Sequence, residues 1–126
     1  MAKPRRLKRP TALCFSRGAA LATAYERVRA ATGSLNKGDL SAADHYLFIA
    51  KLDLEKHGKS ELISPSTSRR IVRAIEEPRL AIRKAMETQA RGKIGRVSST
   101  RVTRVLGVIS EAEKRVKNQC FFGKVK

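Results

Sequence analysis

Tryptophan is absent from the 126 residues, and aromatic residues make up only 5%. An interior without large rings must be filled by Ala, Leu, Ile and Val, which suits closely packed helices better than a β-sandwich. Cysteine is nearly absent as well. Cys14 and Cys120 stand near opposite ends with no second pair to suggest a disulfide framework. They read as free thiols of a reducing, cytoplasmic compartment, with a clasp between the termini as the alternative. No apolar run approaches the ~18 residues of a membrane span. The short run Thr11–Phe15 is broken by Ser16 and Arg17, short of the ~7 residues of a secretory h-region. The acid-free, Arg-rich start also fits an organellar or nuclear targeting segment. The most informative deficit is of acid, because 11 Asp and Glu face 28 Lys and Arg, for a formal net charge of +17.

A charge so far from zero repels itself, and a domain of this size carries it most readily against a polyanion. The charge is also uneven: residues 1–15 sum to +5, 16–33 to +2, 34–58 to −1, 59–97 to +6 and 98–126 to +5. Only 34–58 is electrically ordinary. The length suits one domain, here a helical domain over 13–119 between a basic extended arm, 1–12, and a C-terminal tail, 120–126.

The hydrophobic spacing predicts an all-α fold, a small bundle of about four helices with a flexible basic N-terminal arm. Lys3, Arg5, Arg6, Lys8 and Arg9, bracketed by Pro4 and Pro10, make that arm extended until something binds it. A first helix is expected from Ser16 to Thr32-Gly33, with Leu21, Ala24, Val28 and Ala31 inward. A second is expected between a Ser41/Asp44 capping box and a terminal Gly58. Its Leu47, Ile49, Ala50 and Leu54 are candidate core, and its apolar circumference predicts a central position. A third opens at Ser64-Pro65-Ser66 and runs to about Ala90 before Gly92. Pro78 lies inside it, yet Ile71, Ile75, Pro78, Ile82 and Met86 keep one apolar phase, which favours one kinked helix over two. Arg69, Arg70, Arg73, Arg79, Arg83 and Lys84 are expected on its outer faces. After a flexible basic connector, Gly92-Lys93-Ile94-Gly95, a fourth helix is capped by Ser98 or Ser99, with Val102, Val105, Leu106, Ile109, Ala112 and Val116 on one stripe.

Residues 96–106, Arg-Val-Ser-Ser-Thr-Arg-Val-Thr-Arg-Val-Leu, resemble the turn and recognition helix of helix-turn-helix repressors. The resemblance implies that Ser99, Thr100, Arg101 and Arg104 meet DNA while Val102 and Val105 face inward. It covers about a dozen residues, and the same stretch also reads as a capped amphipathic bundle helix. Just upstream stand Arg91, Gly92, Gly95 and Arg96, where such repressors place a supporting helix with a small apolar residue. A second cluster, Ser64, Ser66 and Thr67 beside Arg69 and Arg70, joins free backbone N–H groups, hydroxyls and guanidiniums into a phosphate grip, or is simply a capped, solvated helix start. Arg73, Lys93 and Arg96 extend the basic surface. Phe121 and Phe122 beside Lys117, Lys124 and Lys126 could stack on unpaired bases, or fold back onto the core.

Catalytic and metal chemistry find little footing. His45 and His57 lie twelve residues apart on one helix, roughly 18 Å, too far to share an ion. Asp53-Leu54-Glu55-Lys56 departs from nuclease spacing, and no phosphate-binding glycine loop or nucleophile–base set occurs. The expectation is a non-catalytic nucleic-acid-binding protein without metal or cofactor, preferring double-stranded DNA, in a regulatory, accessory or packaging role of a bacterial or phage system. RNA binding within a ribonucleoprotein, or docking of the basic face on an acidic protein, are the alternatives; no membrane partner is expected. Deleting residues 1–10 should leave the fold intact and weaken nucleic-acid binding. If all five cations engage phosphates, the slope of log K against log salt becomes shallower by roughly 4 to 5 units; an unchanged slope removes the arm from the contact surface.

Overall fold

Four helices account for nearly all of the secondary structure in the computed structural model, which describes residues 12–122, with backbone only at 121 and 122: α1 (Ala12–Asn36), α2 (Leu40–Lys59), α3 (Pro65–Ala90) and α4 (Thr100–Phe122). Among the described residues there is no strand. Each helix packs on two others, α1 on α2, α2 on α3, α3 on α4 and α4 on α1, and neither diagonal pair touches. Partners across neighbouring helices run in opposite senses: Leu54, late in α2, meets Ser68, early in α3, while the earlier Asp44 meets the later Arg79, and Gly95, just before α4, lies on Ala85 while Arg101 pairs with the earlier Glu77. The result is an antiparallel four-helix ring closed between α4 and α1, as short connections favour.

The apolar spacing explains the core. Leu21, Ala24, Val28, Ala31 and Leu35 of α1 face Leu40, Ala43, Leu47, Ala50 and Leu54 of α2; Ile71, Ile75, Ile82 and Ala85 of α3 and Val102, Val105, Ile109 and Ala112 of α4 complete it. These steps of three and four residues give each helix one inward stripe. Leu and Val alternate with Ala along the buried stripes of α1 and α2, so the core needs no aromatic ring.

Several boundaries differ from those expected. α1 begins at Ala12 and runs through Gly33 to Asn36, where Asp39 N–H donates to Ser34 O at 2.8 Å. The cap of α2 is Asp39, whose carboxylate accepts the Ala42 N–H at 3.0 Å, so Ser41 and Asp44 form no capping box. Gly58 lies inside α2, buried, and ends nothing; a Cβ there would stand 2.6 Å from Ser68 Oγ. Its role is close approach of α2 to α3, where the Ser68 hydroxyl donates to Leu54 O at 2.7 Å. α2 is not central. It has two neighbours like every other helix, Ile49 is only half-buried, and Tyr46, Phe48 and Leu52 are exposed.

α3 is capped as expected by Ser64, with Pro65 in its first turn, and continues through the buried Pro78 as one helix. It ends in a Schellman turn, with Gly92 N–H on Gln89 O at 2.9 Å and Lys93 N–H on Thr88 O at 3.1 Å. Gly92 has φ +79, a conformation in which Cβ is costly. The connector is braced, contrary to its expected flexibility. Gln89 Nε2 donates to Gly95 O at 3.2 Å, and a Cβ on Gly95 would come 2.1 Å from the Ala85 carbonyl oxygen. α4 extends through Cys120 to Phe122, past the expected start of a separate tail.

The two cysteines are not free thiols. Packing α4 against α1 brings their ends together, and Cys14 and Cys120, 106 residues apart in sequence, form a disulfide across a Cα separation of 5.9 Å. The expectation of a reducing compartment, which rested on free thiols, therefore loses its support. No described helix is long and apolar enough to cross a membrane. A cross-link closing so long a loop restricts the unfolded chain, so reduction should lower stability by about 2 to 5 kcal/mol. Urea denaturation with and without dithiothreitol checks this, and a Cys14→Ser/Cys120→Ser double variant should match the reduced protein.

Candidate nucleic-acid interface

The four-helix ring sorts the charges by side. Residues 12–64, spanning α1 and α2, hold seven Lys and Arg against six Asp and Glu, whereas residues 65–122, spanning α3 and α4, hold fourteen against five. Opposite charges also meet chiefly where α2 touches its neighbours. Arg27 of α1 pairs with Asp53, and Lys51 Nζ lies 3.0 Å from Glu76 Oε1 of α3. The centre of this array is Arg79, expected on an outer face but only 3% exposed. Its Nε donates to Asp44 Oδ1 at 3.0 Å, its Nη1 lies 3.5 Å from Glu76 Oε1, and its guanidinium carbon sits 5.0 Å from the Phe48 ring centroid. Two carboxylates and an aromatic face together offset the desolvation of the guanidinium. A sequence signal for this existed: Arg79 follows directly on Pro78 of the buried stripe, and α2 offers Asp44 and Phe48 one turn apart.

On the opposite flank of α3 one ion pair marks the register in which the buried Val102 and Val105 dock α4. Arg101 Nη1 lies 3.3 Å from Glu77 Oε2. From that fixed point an antiparallel course carries Arg104 alongside the turn bearing Arg70 and Arg73. In the other direction the connector lies back on the last turns of α3, with Gly95 on Ala85, so Lys93 and Arg96 flank the level of Lys84. Arg69, Arg70, Arg73, Lys93, Arg96, Arg101 and Arg104 are all exposed, and apart from Arg101 none has a carboxylate partner among the described residues. A seam of cations thus follows α3 from Arg69 to Arg91, ~33 Å at helical rise.

The helix-start cluster is partly self-occupied. The Ser64 hydroxyl accepts the Thr67 N–H at 3.4 Å and lies 2.9 Å from the Ser66 hydroxyl. Ser66 is exposed and Thr67 half-buried, and their groove of about 900 Å³ is shared with Arg17 and Arg115, two cations not placed there from sequence. Arg17 is held by its Nε on Leu62 O at 2.8 Å. At the start of α4 the Ser98 hydroxyl accepts the Thr100 N–H at 3.2 Å, half-buried Ser99 offers its carbonyl to Thr103 N–H at 3.1 Å, and Thr100 is exposed. The five arm cations and the side chains of Phe121 and Phe122 lie outside the described residues. Among the described residues no cluster of three His, Cys, Asp or Glu could hold a metal ion. No known family, curated protein or solved structure matches this chain.

Arg79 and Arg73 should therefore behave oppositely when replaced by Ala. Arg79→Ala strands Asp44, leaves Glu76 to Lys51 alone, and should cost about 3 kcal/mol of stability, the low end for breaking a buried pair because both carboxylates are partly solvated. Arg73→Ala, an exposed residue without a carboxylate partner among the described residues, should leave the denaturation midpoint unchanged. Paired chemical denaturation separates the two; equal stability losses would contradict the assignment.

Proposed function

We propose that this protein is a non-catalytic nucleic-acid-binding module that holds double-stranded DNA along the α3–α4 seam, with the N-terminal arm as a second contact, in a regulatory, accessory or packaging role. The observation that carries the reading is the excess of fourteen cations over five acids on one half of the ring, against near neutrality on the other. Cations without carboxylate partners are free to displace condensed counterions from phosphates, which supplies most sequence-independent affinity. The seam's length of ~33 Å is close to the 34–36 Å of one duplex turn. Guanidiniums along one continuous helix suit a regular phosphate array better than a splayed single strand.

Base reading in the manner of helix-turn-helix repressors has less support. Their two helices are joined by about three to four residues, whereas nine, 91–99, separate α3 from α4. Arg101 is engaged by Glu77, which leaves Arg104 as the freer of the two arginines. On this reading both act on phosphates.

Anisotropy titrations of duplex DNA, single strands and structured RNA across a salt series test the proposal. Duplex DNA should bind tightest and with a steep salt slope. Arg104→Ala should weaken all duplex sequences alike and flatten the slope by about one unit. Tighter binding of RNA, or a selection that returns one sharply defined site lost in the Arg104→Ala protein, would overturn it.

A further inference from the structure

Ile94 is the most exposed of the large apolar side chains in the described structure, at 80%. Its exposure does not come from a loose loop. Gly92 and Lys93 close the Schellman turn on α3, and Gly95 is pressed against the Ala85 carbonyl and held by Gln89, so the residue between them is fixed in place. Holding a β-branched side chain out in water forfeits the free energy of burying it. The surroundings specify what could cover it. Ile94 borders a groove of about 640 Å³ that it shares with Lys84, Arg96, Arg101 and the exposed Leu80, and Glu77, the one acid there, is already paired with Arg101. An apolar point ringed by cations fits a partner that is anionic outside and apolar within. Stacked base pairs between two phosphate backbones have that character.

The geometry points to Ile94 as a wedge that enters the minor groove between two base pairs and kinks the duplex, while Lys84, Lys93 and Arg96 hold the flanking phosphates. Aliphatic wedges of this kind partly unstack one step and bend DNA by roughly 20–90° toward the major groove, which brings more backbone against the protein. The inference rests on the duplex reading proposed above.

The test uses the full chain with a 30-base-pair duplex carrying end-attached donor and acceptor dyes, and a second duplex with 2-aminopurine at successive positions. The wild-type protein should shorten the end-to-end distance and raise 2-aminopurine fluorescence. Ile94→Ala and Ile94→Ser should abolish both signals and weaken binding by about tenfold, with an unchanged salt slope and unchanged thermal melting. Ile94→Phe, which keeps an apolar wedge, should retain the bend. Binding without bending, or undiminished bending by Ile94→Ser, overturns the wedge and leaves the duplex reading intact. Failure to bind duplex at any salt concentration overturns both.

Discussion

Burying the Arg79 guanidinium between α2 and α3 obliges the two helices to supply its anions, and the arrangement of most other charges follows. Asp44 and Glu76 are committed to that buried cation, and Lys51 closes on Glu76 from α2. Asp53 is engaged by Arg27. In a chain with 11 acids, spending three at or beside the α2 interfaces leaves few to offset the far side of α3. One helix therefore carries an apolar stripe, a neutralised flank toward α2, and a cationic flank toward α4. The +17 of the whole chain becomes a directional property only through this division.

The helical character of the fold was legible because its signals are local. Leu21, Ala24, Val28 and Ala31 recur at helical spacing, Ser64-Pro65 before a periodic apolar run signals a helix start, and Gly92 closes one through a positive φ that other residues resist. What the spacing could not convey was how helices meet. Gly58 looks like a terminator and Gly95 like part of a flexible connector in one dimension; in three they are points where a second helix or backbone comes too close for a methyl group. Leu52 and Phe48 made α2 look wholly enclosed, yet a ring of four gives each helix only two partners and leaves a strip outside. The disulfide stood only as the second reading for the same reason, since two lone cysteines 106 residues apart do not reveal that α1 and α4 bring them together.

The candidate interface was legible in its residue types and not in its layout. Arg69, Arg70, Arg73, Arg101 and Arg104 were identifiable as exposed cations, but their alignment depends on how α4 docks on α3, seen in the Arg101–Glu77 pair, which joins residues 24 apart. Arg79 was the opposite case. It shares composition with the surface arginines, and its place beside Pro78 together with Asp44 and Phe48 of another helix sets it apart. Arg17 and Arg115 reach the groove at the start of α3 from α1 and α4, a convergence no single segment encodes.

The Cys14–Cys120 bond joins the first turn of α1 to the last turn of α4, so the backbone between them is a covalent circle. A protease that cuts any of the three interhelix connections converts that circle into one linear molecule with new ends, and no fragment departs. The inherited order of the four helices is therefore less binding than their neighbour relations. In an oxidising environment the same ring would survive being opened at a different point.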